Sequence, residues 1–166
     1  MALHDDLLAQ ADRLAHAETK KPKQASLRRA VSAAYYALFH YLIDESTRFL
    51  VSGRQRDGLR RQLARCFDHG QMRRAAQAFV APSASSPWRA IVSAAPTSAL
   101  VDVAAAFIAL QEARHEADYD LARVFTRVEA NALVGRSQAA CTTWASVAGT
   151  EEADAFLVAL LVRGRS

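Results

Sequence analysis

The chain has few residues that break helices. Among its 166 residues are only six glycines and four prolines, while alanine recurs throughout, often in pairs or triplets. Alanine has the highest intrinsic helix propensity, whereas glycine and proline have the lowest. Neither an alternating β-strand pattern nor an internal repeat is visible. The sequence therefore predicts an all-α fold in a single domain over residues 1–166.

Long apolar runs are also missing. The best candidate, Ala99 to Leu110, is interrupted by Asp102, and a helix that spans a bilayer needs about 20 apolar residues. The N-terminus is acidic, unlike the basic and then apolar start of a signal peptide. These features predict a cytoplasmic location and no membrane partner.

Cysteine is scarce, and metal-binding spacings are absent. Cys66 and Cys141 show neither CxxC spacing nor a histidine partner at zinc-finger distance. We interpret both as buried thiols in a reducing cytosol. No HExxH motif and no Gly-rich phosphate loop occurs either. The sequence accordingly predicts no metal site and no cofactor.

Basic residues are present, and they are unevenly distributed. Residues 20–74 contain 13 Lys and Arg against four Asp and Glu, whereas residues 112–154 contain four Arg against eight acids. A basic half suits contact with the phosphates of a nucleic acid. Alternatively, because 18 of the 21 basic residues are arginine, the excess reflects a coding bias that also suits the alanine-rich composition.

Apolar spacing of three and four residues predicts five to six helices. Thr126 followed by Glu129 forms a capping box, which predicts that a helix begins there. Gly53 predicts the end of an earlier helix. A proline-rich and serine-rich stretch, residues 81–96, is predicted to be a long loop. The predicted helical segments are 3–18, 24–51, 55–80 with a bend near His69, 97–119, 126–147 and 151–162.

A first polar cluster lies on the long second helix. Arg29, Ser32, Tyr36 and His40 follow one stripe, at intervals of three, four and four residues. Three aromatic residues and a histidine within six positions cannot all enter one core stripe, so the helix must be covered on more than one side. We predict Arg29, Tyr36 and His40 as ligand-binding residues. The alternative is tight packing in which hydrogen bonds satisfy the polar groups.

A second polar cluster ends the helix that spans residues 97–119. Arg114 and Asp118 are four residues apart and lie on one face, and His115 and Tyr119 repeat that spacing on the next face. Arg114 continues an apolar stripe, so its guanidinium is expected to be partly buried and to need an acidic partner or a bound anion. We predict these four residues as catalytic candidates. An ion pair that fixes the helices is the competing interpretation.

A third, weaker candidate lies in the basic segment. His69 precedes Arg73 and Arg74 on the predicted helix. This arrangement predicts an anion-binding site with His69 and Arg73 as ligands, or simply a solvated face. Arg60 and Arg61 belong to the same basic region, and we expect the region to attract an anionic ligand.

Together, the two main clusters resemble motifs of the HEPN superfamily of small helical proteins. The resemblance rests on the stretches RAVSAAYYALFH, from Arg29 to His40, and RHEADYD, from Arg114 to Asp120. The intervening FDHGQM stretch and Phe125-Thr126 are similar to uncharacterised bacterial HEPN-like proteins. The likeness spans roughly residues 7–145. It implies an up-and-down helical bundle that forms a homodimer.

The resemblance also implies a class of functions. Many HEPN proteins are metal-independent ribonucleases, often toxins or defence components; others bind nucleotides or act beside a nucleotidyltransferase partner protein. Their nuclease motif is an arginine followed, after four to six residues, by a histidine. Arg114 matches the arginine, but no histidine occurs after His115. Only His115, His69 or His40 could then replace the missing histidine.

Three functions follow from the clusters and the resemblance. The leading hypothesis is a dimeric helical module that binds RNA or a nucleotide without the usual catalytic histidine. The second is a metal-independent ribonuclease of the toxin or defence type, which would need groups to accept and donate protons near neutral pH. The third is a purely structural dimerisation or interaction module. Whether the chain is an enzyme is left open between them.

Overall fold

A computed structural model describes residues 2–82, 92 and 95–162 of the chain. Within these residues every regular element is an α-helix, so the predicted all-α helical bundle is confirmed. Seven helices occur there instead of the five to six predicted. They are α1 (Leu3–Ala15), α2 (Gln24–Leu50), α3 (Asp57–Ala64), α4 (His69–Val80), α5 (Ser98–Tyr119), α6 (Arg127–Val147) and α7 (Glu151–Leu161).

The extra helix arises because the predicted segment 55–80 is two helices. The break falls before Asp68, which is the N-cap of α4: its side chain accepts a 2.9 Å hydrogen bond from the Gln71 backbone N–H. Aspartate at an N-cap satisfies a donor that the first helical turn leaves unpaired. The predicted bend near His69 is therefore a complete interruption between α3 and α4.

Several predicted boundaries are confirmed. The Thr126 hydroxyl accepts a 3.2 Å hydrogen bond from the Glu129 N–H, and the Glu129 carboxylate accepts a 2.8 Å bond from the Thr126 N–H. This is the reciprocal pairing of a capping box. Gly53, shortly after α2, has a φ of 96°, the left-handed conformation that favours glycine. Of the predicted loop 81–96, residues 83–91 and 93–94 lie outside the described residues.

The first helix is shorter than predicted, because Glu18 is used in the connection to α2. Its carboxylate accepts hydrogen bonds from the Lys23 N–H, at 3.1 Å, and from the Ser26 hydroxyl, at 2.8 Å. These bonds, with that of Ser26 first, lower the pKa of Glu18. Glu18 therefore helps to satisfy the start of α2 instead of extending α1.

The helices divide between two compact units. Unit 1 comprises residues 1–41 and 106–142, and unit 2 comprises residues 42–105 and 143–166. The assignment of the whole chain to a single domain stays a prediction. None of the helices among the described residues is long and apolar enough to cross a membrane.

Unit 1 packs around the first half of α2. Tyr35 is fully buried, and its ring centroid lies 5.7 Å from that of Phe107. The Ser137 hydroxyl donates a 2.8 Å hydrogen bond to the Ala34 carbonyl, so a buried polar side chain of α6 is satisfied by α2. A compact group of buried residues completes this core: Ala15, Leu27, Ala30, Val31, Ala117, Phe125 and Ala130.

Unit 2 packs α4 and α7 together through aromatic residues. The rings of Phe79 and Phe156 meet edge to face with their centroids 5.0 Å apart, a favoured aromatic geometry. Buried Gln71 donates from Nε2 to the carbonyl oxygens of Ala159, at 3.2 Å, and Val162, at 2.7 Å. The amide thereby satisfies carbonyls that the end of α7 leaves unpaired.

The interpretation of both cysteines as buried thiols is wrong. Cys66 is exposed and Cys141 is only half-buried. Cys66 lies just beyond the C-terminal end of α3, in the short connection to α4. Its exposure follows from the helix break that the sequence pattern did not predict.

Candidate functional site

Arg114 lies in the last turns of α5, where the apolar stripe of the helix ends. Its side chain is 20% exposed, and its Nε lies 2.8 Å from Asp118 Oδ2. The Nε–H does not point at a hydrogen-bond acceptor, so this contact is an ion pair rather than a hydrogen bond. Nη2 instead donates a 2.8 Å hydrogen bond to the Tyr36 hydroxyl of α2. The predicted pairing of Arg114 with Asp118 is confirmed.

Further contacts join α2 to the end of α5. The Ser32 hydroxyl donates a 2.6 Å hydrogen bond to Asp118 Oδ1. The Arg114 guanidinium carbon lies 5.5 Å from the ring centroids of both Tyr36 and Tyr119, a distance at which a cation is attracted to an aromatic ring. We call these five residues, Arg114, Asp118, Ser32, Tyr36 and Tyr119, the Arg114 cluster. It unites the two stripes that the sequence pattern singled out separately.

The surroundings of Arg114 favour its charged form. Burial by itself lowers the pKa of the guanidinium, but Tyr36, Asp118 and Tyr119 act in the opposite direction. The net result is a raised pKa, because nearby negative charge and a hydrogen-bond acceptor stabilise the cation. Arg114 is therefore a permanent positive charge that Asp118 partly neutralises.

A groove between α1 and α2 adjoins the Arg114 cluster. Its volume is about 260 Å³. Arg29 is exposed at this groove, while Ser32 and Tyr36 belong both to its lining and to the cluster. We call it the α1–α2 groove; its principal lining residues are Leu7, Gln10, Leu14, Arg29, Ser32 and Tyr36. It combines an apolar wall from α1 with a polar wall from α2.

Two of the predicted histidines contact tyrosines of the cluster. The His40 ring stacks with that of Tyr36 at a centroid distance of 6.2 Å. The His115 ring lies 5.0 Å from that of Tyr119. His115 and Tyr119 are exposed, Tyr119 to 63%, and His40 is half-buried. Each histidine thus touches a tyrosine ring that also contacts Arg114.

The other predicted site residues belong to unit 2. His69 and Arg73 lie one turn apart on α4, and both are half-buried. Arg60, predicted to lie on a solvated basic face, is instead a structural residue. Its Nε donates to the Val51 carbonyl at 3.1 Å, and its Nη2 donates to the Gly53 carbonyl at 2.7 Å. Its side chain also pairs with Asp57 at 2.9 Å.

Arg28 is an important residue that sequence reasoning missed. Its guanidinium donates to the backbone carbonyls of Ala117, at 2.8 Å, Asp120, at 2.9 Å, and Arg123. The Ala117 carbonyl lies in the last turn of α5, where a helix leaves its acceptors unpaired, and those of Asp120 and Arg123 lie in the connection that follows. Arg28 therefore holds the segment that carries Arg114 and Asp118. The only sequence signal is its position within the Arg28-Arg29 pair.

A second cavity, between α5 and α6, is lined by residues that form ion pairs with one another. It has a volume of about 320 Å³. On its wall the Arg123 guanidinium pairs with Glu116 and Glu129, each at 2.9 Å, and lies 4.4 Å from the Phe125 ring centroid. Hydrogen bonds from Arg123 and from Thr126 lower the pKa of Glu129 to about 2. The charge of Arg123 is therefore already engaged by two carboxylates of the protein.

Neither a metal ion nor a relative explains the cluster. The described residues contain no group of three or more His, Cys, Asp or Glu side chains placed to hold a metal ion. Protein-family models, curated proteins and solved structures yield no match to this chain. The Arg114 cluster and the α1–α2 groove therefore have to be interpreted from their own geometry.

Proposed function

We propose that the protein binds RNA or a nucleotide through the Arg114 cluster and the α1–α2 groove. The observation that carries the proposal is that Ser32 and Tyr36, which bond to Asp118 and Arg114, also line a groove where Arg29 is exposed. Two arginines are thus associated with one polar wall. Arginine presents a planar set of donors that matches the oxygens of a phosphate.

The size and lining of the groove support a nucleotide unit as the ligand. Sites for whole drug-sized ligands occupy about 300–1,000 Å³, and this groove is slightly smaller, at about 260 Å³. It suits a phosphate with its sugar. Exposed Tyr119 and His115 offer rings on which a base can stack outside it. The HEPN-like motifs suggest the same class of ligand.

The test is to titrate the protein with AMP, with inorganic phosphate and with a single-stranded RNA oligonucleotide. Arg29→Ala should weaken binding of the ligand about tenfold or more, because a charged hydrogen bond is lost. Arg13→Ala is the matched control, since Arg13 is also exposed and makes no described side-chain contact. If none of the three ligands binds, or if both variants lose binding equally, the proposal is wrong.

A second candidate function is metal-independent RNA cleavage. It is favoured by the placement of His40 against Tyr36 and of His115 against Tyr119, with Arg114 in contact with both tyrosines. Such cleavage needs one group that accepts the 2′-hydroxyl proton and one that protonates the leaving oxygen, and histidine serves both steps near neutral pH.

Cleavage is tested with a 5′-labelled RNA in the presence of a metal chelator. Fragments that disappear in both His40→Ala and His115→Ala would support this second function. If the RNA stays intact while it is bound to the protein, the result would support RNA binding without cleavage. A purely structural role for the cluster predicts a third result. Variants of the cluster would then lose stability, and the wild-type protein would bind none of the ligands.

A further inference from the structure

Helix α3 in unit 2 lies at the surface of the protein. None of its residues, Asp57–Ala64, is buried. A helix of eight residues is marginal on its own in water, yet this one is tied in place by Arg60, whose guanidinium bonds to the Val51 and Gly53 carbonyls. The structure thus holds a short helix at the surface, where its half-buried residues are Arg60, Leu63 and Ala64.

Four exposed arginines lie in or next to this helix: Arg54, Arg56, Arg61 and Arg65. None of their side chains makes a hydrogen bond or an ion pair within the part of the chain that the structure describes. The one carboxylate in this stretch, Asp57, is already paired with Arg60 at 2.9 Å. We call the four arginines the basic surface. Its positive charge is uncompensated, in contrast to that of Arg114.

We infer that the basic surface binds the phosphodiester backbone of a nucleic-acid strand. Arg61 and Arg65 are four residues apart on α3 and its C-cap, so their side chains start about 5–6 Å apart on one face. Arginines at this spacing can each contact a phosphate of the same strand, because a strand carries one charge every few ångström. None of these residues belongs to the Arg114 cluster, so the inference adds a second contact to the proposed function.

The surroundings of the arginines favour a nucleic acid over a membrane surface. Helical spacing places Gly58 and Gln62 beside Arg61 and Arg65, and both are exposed. Leu59, which is 55% exposed, is the only large exposed apolar residue of the helix. Leu63, four residues after Leu59 on the side opposite Arg61 and Arg65, is already half-buried in the protein. A helix that lies in a membrane interface needs a continuous apolar face that is free to enter the lipid, and α3 offers only Leu59 for it. Backbone binding requires only the charge.

The experiment measures the affinity for a fluorescently labelled single-stranded RNA at several salt concentrations, between about 50 and 200 mM. The R61A/R65A double variant should bind more weakly and should reduce the slope of log K against log salt by about 1.4, or about 0.7 for each lost phosphate contact on a single strand. Affinities for two RNAs of unrelated sequence should fall in parallel, because backbone contacts do not distinguish bases.

The control is the R13A/R136A double variant, which removes the same charge from two exposed arginines of unit 1. Its salt slope should stay unchanged. An equal loss of slope in both double variants would overturn the inference, as would binding to anionic phospholipid vesicles with none to RNA. The proposed function is judged separately, by measuring how Arg29→Ala changes AMP binding. If the protein binds AMP but R61A/R65A has no effect on RNA binding, the proposed function stands and the inference about the basic surface is wrong.

Discussion

The Tyr36 hydroxyl accepts a 2.8 Å hydrogen bond from Nη2 of Arg114, a residue 78 positions later in the chain. Asp118 pairs with the same guanidinium from one turn away, and Ser32 bonds to Asp118. The cluster therefore joins α2 to α5 through four polar side chains. The proposed ligand binding can be tested apart from the structural role of the cluster, because Arg114 is largely enclosed while Arg29 of the α1–α2 groove is exposed.

Arg114→Ala should lower the free energy of unfolding by roughly 1–3 kcal/mol, since it removes a charged hydrogen bond and leaves Asp118 without its partner. Tyr36→Phe removes the hydroxyl that accepts this hydrogen bond but keeps the ring, and it should cost about 1 kcal/mol. Urea denaturation of both single variants and the double variant gives their coupling. Arg13→Ala is the control, because Arg13 is exposed and its side chain makes no hydrogen bond or ion pair with the described residues. Strictly additive effects would show that the bond contributes nothing.

Substitution of the neighbouring residues Arg28 and Arg29 should affect different properties: stability for Arg28 and ligand binding for Arg29. Arg28→Ala should cost roughly 2–3 kcal/mol of stability, because three carbonyls in the last turn of α5 and the connection that follows lose a charged donor. Arg28→Lys should restore little of it, since an ammonium group cannot reproduce the fork of the guanidinium. Arg29→Ala should leave the melting temperature unchanged and weaken ligand binding. Equal melting temperatures for the two alanine variants would contradict this assignment.

Glu129 should make the protein less stable in acid. Its pKa is about 2 in the folded protein and ordinarily 4.5. The lowered pKa means that the ionised carboxylate stabilises the fold above about pH 4.5 and that this contribution is lost as the pH falls towards about 2. Glu129→Gln should therefore differ from the wild type most at neutral pH and least in acid, by urea unfolding. A difference between Glu129→Gln and the wild type that is equally large at neutral and at acid pH would contradict this assignment.

The predicted homodimer has a candidate contact surface in unit 1. Three large apolar residues between the end of α5 and the start of α6 are exposed by more than half: Leu121, Val124 and Val128. Leu121, at 93%, is the most exposed of them. If this surface is the interface, light scattering should give a dimer for the wild type and a monomer for Leu121→Asp. Leu3→Asp is the control, and a wild-type monomer at micromolar concentration would refute the prediction.

Features that depend on neighbours in the chain were predictable from the sequence. The capping box of Thr126 and Glu129 and the pair of Arg114 and Asp118 involve separations of three and four residues, which helical geometry alone brings together. The all-α fold follows from composition and apolar spacing in the same way. Only the helix count was too low, because the N-cap at Asp68 was not recognised.

Features that depend on distant contacts were not predictable. Arg28 and Arg29 look alike in the sequence, and only the position of carbonyls some 90 residues later makes Arg28 a structural residue. The carbonyl partners of Arg60 lie only seven and nine residues earlier in the chain. This separation is still beyond the contacts that a regular helix makes, so the sequence pattern predicted a solvated charge instead. The sequence pattern selected both sides of the Arg114 cluster, but the bond between Arg114 and Tyr36 required the fold.

The exposed thiol of Cys66 has a practical consequence. It follows Arg65 directly, so it lies at the edge of the basic surface. An accessible thiol can be oxidised to a disulfide between two molecules, and the resulting covalent pair would have the mass of a homodimer. A Cys66→Ser protein, kept in reductant, is therefore the proper starting material for measuring self-association. The same thiol, labelled with a fluorophore, would report directly on a strand that approaches α3.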